Sequence, residues 1–391
     1  MTDKRPVWLS FRLASYYFAV FALVGVVMPY WPVWLQSRGL GPVEIGLVLS
    51  VGRWISIGTT PVIAQFADRH GERKRLVILL LTGMAAGYSF YLLADGFWQI
   101  LAVAMVVAVF HSAVNPVGDS LTMLNASRGH TDYGRVRLWG SVSFIITSFM
   151  GGVLLGRWGE DAILWVVLAL AVFTVAVACI LPDTRAERAQ QGKRGVVWRL
   201  ALHPVMLLFI LAMSLNAGSH AVLYAFGTLN WRDAGISEQV IGFLWAEGVV
   251  AEIILFAFGA RLVERFGLMP LMALAAIAGV MRWTLLAISN DLAILVVAQA
   301  LHALTFGAGH LAAMSFVSQA APAGMSATAQ SLYNALAMGA AIAIAVPLSG
   351  LAYERFGDQS YLMMTAMSAL AGVCVLILSR RWNGRRLELP P

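Results

Sequence analysis

The sequence predicts an all-α membrane protein whose twelve transmembrane helices form two six-helix bundles. Hydrophobic residues make up 60% of its 391 residues, charged residues only 12%, and mean hydropathy is +0.77. A soluble domain of this length exposes far more charge. Apolar stretches of about 20 residues recur along the chain, and each is long enough to cross a bilayer as a helix. The predicted spans lie near residues 11–35, 43–66, 76–95, 97–126, 136–156, 162–182, 203–229, 239–262, 268–289, 291–318, 328–351 and 359–379.

The positions of the basic residues predict the orientation of these spans. Most of the 27 lysines and arginines fall in loops on the same side as both termini. Because positive charge collects on the cytoplasmic side of membrane proteins, we expect a multi-pass protein of the cell membrane with both termini in the cytoplasm. The net charge of +7 is scattered over separate short loops, so no nucleic-acid partner is expected.

Three motifs occur twice, about half a chain apart. GLGPVEIG at 39–46 matches GISEQVIG at 235–242, and GVLLGRWGE at 152–160 matches GLAYERFGD at 350–358. An acidic–basic–x–glycine loop has Asp68, Arg69 and Gly71 in its first copy and Glu264, Arg265 and Gly267 in its second, 196 residues later. Charged residues at helix ends can cap neighbouring helices, and glycine permits a tight turn. We expect these loops to latch the inner side, with a simple topology anchor as the alternative.

The longest polar interruption, at 182–199, separates the sixth span from the seventh. It is basic and contains glycines, as a linker does. We therefore expect an N-terminal bundle at 1–183, a cytoplasmic linker at 184–202 and a C-terminal bundle at 203–391. Two such parallel repeats place a substrate cavity between them near the bilayer midplane. Cys179 and Cys374 both lie in apolar spans, so we expect no disulfide framework.

These motifs resemble the major facilitator superfamily, whose loop after the second helix is similar to ADRHGERKR at 67–75. More narrowly, the chain resembles the 3-phenylpropionate transporter-like members, relatives of the lactose permease branch of proton symporters. The most specific pieces are DYGRVRLWGS at 132–141, GVVAEIILFA at 248–257, MRW at 281–283 and LHALTFGAGHLAAM at 301–314. The resemblance implies proton-coupled uptake of a small organic solute, with an aromatic monocarboxylate such as 3-phenylpropionate as the expected cargo.

Ionisable residues inside spans are candidate site residues, because each costs roughly 2.5–3.5 kcal/mol on insertion scales. Asp119 and Arg137 flank the short loop between spans four and five, and His111, Asn115 and Asp119 form one stripe of span four. In lactose permease-like proteins an acid and an arginine at this spacing bind the substrate, so the resemblance implies that role here. The planar guanidinium suits a carboxylate. A structural ion pair between the two helices is the alternative.

Aromatic side chains add a second group of candidates for the substrate site. We expect Tyr16, Tyr17 and Tyr224 to face the cavity, where an aromatic acid can stack on them. Trp31 and Trp34 lie near the outer end of span one, and tryptophan collects at membrane interfaces. For these two residues we expect an interfacial position.

Proton coupling is expected in the C-terminal half. Arg282 and His302 match, in type and spacing, an arginine and a histidine of the lactose permease proton site, as the resemblance implies. The acid that this family places one turn after the histidine is replaced by Thr305. We expect Glu252 to substitute for it by pairing with Arg282, since a nearby arginine tunes the proton affinity of a buried carboxyl group.

Two further histidines, His220 and His310, are candidate proton carriers. On a regular α-helix, His302 and His310 are adjacent in projection but not on the same line. Arg53 and Glu247 are also ionisable residues in spans, and the sequence assigns neither a role.

Several alternatives stay open at this point. A sugar or another small solute as cargo, and a drug-type proton antiporter, both fit the same motifs. A membrane-embedded enzyme is disfavoured because the sequence has no HExxH pair, phosphate loop or Asp-rich diphosphate motif. A sensor is disfavoured because no soluble output domain is present. We expect no metal and no cofactor, and a monomer whose partners are the solute, protons and the bilayer.

Overall fold

The computed structural model describes residues 7–185, 196–323 and 325–388, apart from the side chains of Asp68, Val196 and Val197. Within these residues all regular structure is helical, and eleven helical segments are long and apolar enough to cross a membrane. The longest, Ser326–Arg381, has 56 residues, whereas one crossing needs about 20. Gly357, with φ of 52°, interrupts it, so this segment holds two spans and the described residues contain the twelve predicted.

The first half contains spans one to six. Their helices are Val7–Ser37, Pro42–His70, Arg73–Ser89, Gly96–His111 continued by Val114–Ser127, Tyr133–Trp158 and Asp161–Cys179, with a 3₁₀ turn at Phe90–Leu92 after span three.

The second half contains a short helix, Val196–Ala201, and spans seven to twelve. Span seven is Pro204–Gly218 and Ala221–Asp233, span eight is Glu238–Ala257 followed by Gly259–Phe266, and span nine is Leu268–Ile288. Span ten is Leu292–Ala300, a π-helix Ala303–Ala308 and Gly309–Ala320; span eleven is Ser326–Tyr333, a π-helix Asn334–Ala340 and Ala341–Phe356; span twelve is a 3₁₀ turn Gly357–Ser360 and Tyr361–Arg381.

The chain forms two units, one of residues 1–190 with 235–246 and the other of residues 191–234 with 247–391. Inside the first unit, span one packs against spans five and six, and span three against spans four and six. Inside the second unit, span seven packs against spans eleven and twelve, and span nine against spans ten and twelve. The internal order of contacts is therefore the same in both units, as a duplicated six-helix repeat predicts.

The repeated glycines have positive φ in both copies. Gly39 and Gly235 each have φ of 81°, and Gly71 and Gly267 have φ of 70° and 77°. A third pair, Gly159 and Gly357, also has positive φ, at 75° and 52°. A side chain with a Cβ atom rarely adopts this region, so each motif keeps glycine where its helix must end in a sharp turn.

Small residues let span one approach span five closely. A Cβ atom on Gly25 would lie only 2.9 Å from the carbonyl oxygen of Phe144. In the space that this glycine leaves, the hydroxyl of Ser148 donates to the carbonyl of Gly25 at 3.0 Å, and the Tyr30 hydroxyl donates to the carbonyl of Ser148 at 2.5 Å. Such interhelical hydrogen bonds are a main source of stability where lipid supplies no hydrophobic drive.

The expectation that Trp31 and Trp34 lie at a membrane interface is wrong. Their rings are stacked with centroids 4.5 Å apart, and their side chains are almost fully buried in the first unit. Tyr91 packs edge-on against both rings. The aromatic residues therefore form an internal cluster at the outer end of span one, because packing against span three outweighs the interfacial preference of tryptophan.

Candidate functional site

Three spans are interrupted at or beside a candidate histidine. Span four breaks after His111, span seven breaks at His220, and the π-helix of span ten begins directly after His302. Discontinuous helices inside membranes are typical of binding sites, because the freed backbone groups need polar partners. In span four, Thr60 donates to the freed carbonyl of Ser112 at 3.2 Å. The breaks thus mark where polar groups collect in each unit.

The polar cluster of the second unit surrounds Arg282, which is only 1% exposed. One nitrogen of its guanidinium lies 3.1 Å from Nδ1 of His302 and donates to the hydroxyl of Thr305 at 3.0 Å. The other terminal nitrogen donates to Oε1 of Gln299 at 2.8 Å. These partners come from span ten, and the ring of Trp283 lies 4.6 Å from the guanidinium carbon. A buried cation held by neutral acceptors is costly, so its presence indicates a function.

Span nine holds Arg282 in place through the next residue. The indole nitrogen of Trp283 donates to Ser219 at 3.2 Å and to Ser368 at 3.1 Å, which links span nine to spans seven and twelve. A Cβ atom on Gly279 would lie 2.9 Å from Cβ of Ser368, so the glycine permits this close approach. The arginine therefore projects from a rigid three-helix contact.

Glu252 joins this cluster through His302 and not through a direct pair with Arg282. The Nε2 atom of His302 lies 3.3 Å from Oε2 of Glu252, whose side chain is 20% exposed. The expected Glu252–Arg282 pair is therefore replaced by an arginine–histidine–glutamate series. A Cβ atom on Gly307 would lie 3.6 Å from Cγ of Glu252, an ordinary van der Waals distance, so the Glu252 side chain packs directly beside span ten.

Phe306 stacks between two histidines of span ten. The rings of His302 and Phe306 are parallel with centroids 5.4 Å apart, and those of Phe306 and His310 are parallel at 5.7 Å. Phe306 lies in the π-helix Ala303–Ala308, so the segment between the histidines is not the regular α-helix assumed for their projection. His310 also contacts the hydroxyl of Tyr333 at 3.2 Å.

His220 and Tyr224 belong to the same cluster. Nε2 of His220 lies 3.3 Å from the Thr305 hydroxyl, and its Nδ1 lies 3.0 Å from the carbonyl of Asn216. The ring of Tyr224 is 5.5 Å from that of His220. Tyr224 therefore lies in the second unit, beside the cluster that surrounds Arg282.

The polar cluster of the first unit centres on Asp119. The Tyr17 hydroxyl donates to its Oδ1 at 2.6 Å, and the Tyr133 hydroxyl donates to the same atom at 3.3 Å. The described side chains of Asp119 and Arg137 form no direct ion pair, so the structural pair considered as the alternative is not the arrangement found. Tyrosine hydroxyls, rather than a guanidinium, hold the carboxylate.

Arg137 is half-buried and lies flat against aromatic rings. Its guanidinium carbon is 3.9 Å from the ring centre of Phe21 and 5.6 Å from that of Tyr17. Gly140, one turn later, leaves room for this conformation because a Cβ atom there would lie 2.8 Å from a terminal nitrogen of Arg137. Among the described residues, the guanidinium donates to no hydrogen-bond acceptor. Its N–H edge is thus suited to bind an anion.

His111 and Asn115 are the remaining residues of the polar stripe on span four, and not all of their polar atoms have hydrogen-bond partners among the described residues. Asn115 has a fully buried Oδ1 with no hydrogen-bond partner among the described residues. His111 precedes the break and lies within electrostatic range of Arg53. Tyr16 is buried, and its hydroxyl donates to the carbonyl of Val114 at 2.8 Å, so it stabilises the break in span four rather than facing a cavity.

The loops that follow spans two and eight contain the gating candidates. The Asp68 side chain lies outside the described residues, whereas Arg69, Glu264 and Arg265 are exposed. Gly71 and Gly267 make the positive-φ turns given above. Nearby, Glu72 pairs with Arg75 at 3.0 Å and with Arg185 at 3.4 Å, which ties the loop after span two to the segment after span six.

A cavity of about 720 Å³ contains none of the residues of the two charged clusters in its lining. It is formed by the start of span one, the start of span five and the end of span six. Its lining is mostly apolar, with Ser10, Ser15, Thr131, Asp132 and Arg135 as polar members. Arg135 and Arg137 are two residues apart on span five and point to different surroundings. No three metal-ligating side chains converge within the part of the chain that the structure describes.

Sequence patterns missed five residues of these sites. Gln299 and Thr305 hold Arg282, Phe21 supports Arg137, Tyr133 contacts Asp119, and Phe306 separates the two histidines. Tyr133 and Thr305 lie inside the motifs quoted above and were within reach of sequence reasoning. Phe21 and Gln299 carry no such signal, because an aromatic or amide residue in an apolar span is more often ordinary packing.

Comparisons with known proteins agree with this fold. The chain matches the MFS_1 like family over residues 10–364. It is 33% identical over 362 residues to the probable 3-phenylpropionic acid transporter of Escherichia coli (strain K12), which covers 91% of this chain and 94% of that protein. It is 26% identical over 371 residues to the maltose permease of Geobacillus stearothermophilus, with 93% and 92% covered. The solved nucleoside transporter NupG superimposes with a TM-score of 0.85 over 96% of this chain and 100% of that one; at 16% identity this likeness shows the fold alone.

Proposed function

Because the chain belongs to the MFS_1 like family of the major facilitator superfamily, and is thus a secondary transporter rather than an enzyme, we propose that it takes up an aromatic monocarboxylate together with protons. The cargo is of the 3-phenylpropionate type, and transport proceeds by alternating access. The single observation that carries the proposal is the buried arginine–histidine–glutamate series of Arg282, His302 and Glu252 inside the membrane spans.

Arg137 is the proposed contact for the substrate carboxylate. Its guanidinium is stacked on Phe21 at 3.9 Å, so the cation is already oriented before an anion arrives. An aromatic acid matches this pair of surfaces, with its carboxylate on the N–H edge and its ring against the neighbouring aromatic side chains. Asp119, held by Tyr17 and Tyr133, supplies a second polar wall. The buried Oδ1 of Asn115 offers an acceptor to a ligand on span four.

Glu252 is the proposed proton carrier. It is the carboxylate in contact with the buried cluster, and His302 links it to Arg282. An uncompensated charge inside the bilayer is costly, so a carboxyl group there favours its neutral, protonated form. When the site opens to water, the same group can release the proton. His310 lies within electrostatic range of Glu252 and extends the polar line toward Tyr333.

The inner loops are the proposed gate, through Asp68, Arg69 and Gly71 in one copy and Glu264, Arg265 and Gly267 in the other. We further propose a monomer in a bacterial inner membrane with both termini in the cytoplasm. The loop charges support this orientation, since most of the basic residues lie on the side of the termini.

The test is uptake by purified protein in proteoliposomes with an imposed pH gradient, acidic outside. Labelled 3-phenylpropionate, cinnamate and a galactoside are compared, and protein-free liposomes correct for the undissociated acid that crosses lipid unaided. We expect gradient-driven accumulation of the two aromatic acids above the protein-free control. Accumulation of the galactoside alone, or extrusion of the acids against the gradient, would contradict the proposal.

A further inference from the structure

The buried guanidinium fixes the direction of the hydrogen bonds around it. A guanidinium carries only N–H donors and has no acceptor, so each of its contacts must be a donation from Arg282. Nδ1 of His302 lies 3.1 Å away and therefore accepts with its lone pair. In the neutral ring, the proton must then be on Nε2, the nitrogen that lies 3.3 Å from Oε2 of Glu252. A doubly protonated ring would set an N–H donor against another N–H donor.

The same reasoning gives His220 the opposite tautomer. Its Nδ1 lies 3.0 Å from the carbonyl oxygen of Asn216, which can only accept, so Nδ1 carries the proton. Nε2 then accepts from the Thr305 hydroxyl at 3.3 Å, while the oxygen of that hydroxyl accepts from Arg282 at 3.0 Å.

A second acceptor competes for the Thr305 proton. The backbone carbonyl of His302 lies 3.4 Å from the Thr305 hydroxyl oxygen. If the proton went there, Nε2 of His220 would need its own proton to reach Thr305, and the ring would be charged beside Arg282. Placing a second cation in this buried site is unfavourable, so the Thr305 proton belongs to His220.

From this geometry we infer that Arg282 holds His302 as the neutral Nε2–H tautomer and His220 as the neutral Nδ1–H tautomer, so that Glu252 takes up the transported proton and His302 and Thr305 are positioning residues. His302 and His310, both from span ten, lie near Glu252. The hydrogen-bond directions survive protonation of Glu252, because a carboxylic acid still offers an oxygen to the Nε2–H of His302. The transport consequence rests on the proton coupling proposed above.

The direct test is nitrogen-15 NMR of the purified full chain with labelled histidine. Ring nitrogens that carry a proton resonate apart from those that do not, and the seven histidines are assigned with His302→Gln and His220→Gln. We expect two neutral rings of opposite tautomer at pH 7. We also expect the His302 signals to move with pH without reaching the doubly protonated form, and this movement to vanish in Glu252→Gln. A doubly protonated ring at His302 or His220, the same tautomer at both residues, or a pH response of the His302 signals that persists in Glu252→Gln would overturn the inference.

Thr305 supplies a matched pair of variants. Thr305→Ser keeps the hydroxyl, so the His220 tautomer should stay as in the unchanged protein. Thr305→Val keeps the shape and removes the donor, so the His220 signals should shift while His302 keeps its Nε2–H form. Equal spectra for the two variants would overturn the assigned role of Thr305.

Transport assays distinguish a positioning role of His302 from a proton-carrying role. Glutamine has both an acceptor and a donor but does not titrate, so His302→Gln should recover gradient-driven accumulation that His302→Ala loses. Equal loss in both variants, with solute exchange retained, would make His302 itself the proton carrier. If no variant or condition shows any dependence on the pH gradient, the proposed coupling fails while the NMR result still decides the tautomers.

Discussion

Arg137 gives the sharpest prediction about the cargo. Replacing it with alanine removes charge-assisted hydrogen bonds to a substrate carboxylate, worth about 1.5–3 kcal/mol in similar settings. Since about 1.4 kcal/mol corresponds to a tenfold change, affinity for 3-phenylpropionate should fall by roughly 10- to 150-fold. The affinity of Arg137→Lys should lie between that of the unchanged protein and that of Arg137→Ala, because lysine keeps the charge but loses the planar fork and the stacking on Phe21.

The assay is calorimetric binding of 3-phenylpropionate and of its uncharged primary amide to purified protein. The unchanged protein should prefer the acid, and Arg137→Ala should bind acid and amide alike. Arg135→Ala is the matched control, because it removes an arginine from the same span at the separate apolar cavity. Equal loss of affinity for acid and amide in Arg137→Ala, at an unchanged melting temperature, would refute the carboxylate contact.

Three further predictions follow from packing, hydrogen bonding and charge. Gly25→Ala should lower the melting temperature, because overpacking against the carbonyl of Phe144 costs about 1–3 kcal/mol. Gly58→Ala is the control and should melt like the unchanged protein, because no atom lies within 4 Å of its new Cβ. Equal melting temperatures of the two variants would contradict the close approach of span one to span five. Gln299→Leu should destabilise the protein by about 1–3 kcal/mol, since it leaves a buried N–H of Arg282 without its acceptor, and an unchanged unfolding midpoint would argue against that bond. A C-terminal green fluorescent protein fusion should fluoresce and an alkaline phosphatase fusion should be inactive if the C-terminus is cytoplasmic; the reverse pattern would invert the predicted topology.

Sequence reasoning reached the fold because bilayer physics leaves little choice. A span must be long, apolar and helical. A repeated glycine marks a position of positive φ in both copies, as Gly39 and Gly235 show. It also found Arg282, His302 and Glu252, because a charge in an apolar span stands out against its neighbours.

The detailed contacts were beyond the sequence for specific reasons. A regular helical projection does not reveal the π-helix Ala303–Ala308, in which Phe306 stacks between His302 and His310. Pairing by charge alone predicts Glu252 against Arg282, whereas the histidine between them satisfies both at shorter reach. Asp119 likewise is held by tyrosines, whose hydroxyls carry no sequence signal of their role.

Solute accumulation by the Glu252→Gln variant tests the central claim most directly. One carboxyl group carrying one proton per solute converts each pH unit, about 1.4 kcal/mol, into a tenfold ratio, so a gradient of about two units sets a ceiling near roughly 100-fold. Undissociated acid that crosses lipid unaided approaches the same ceiling, so initial rates are compared. We expect the unchanged protein to concentrate labelled 3-phenylpropionate much faster than protein-free liposomes do. We expect Glu252→Gln to exchange labelled for unlabelled solute at equal concentrations and to concentrate it no faster than those liposomes. Accumulation by Glu252→Gln equal to that of the unchanged protein would contradict the account.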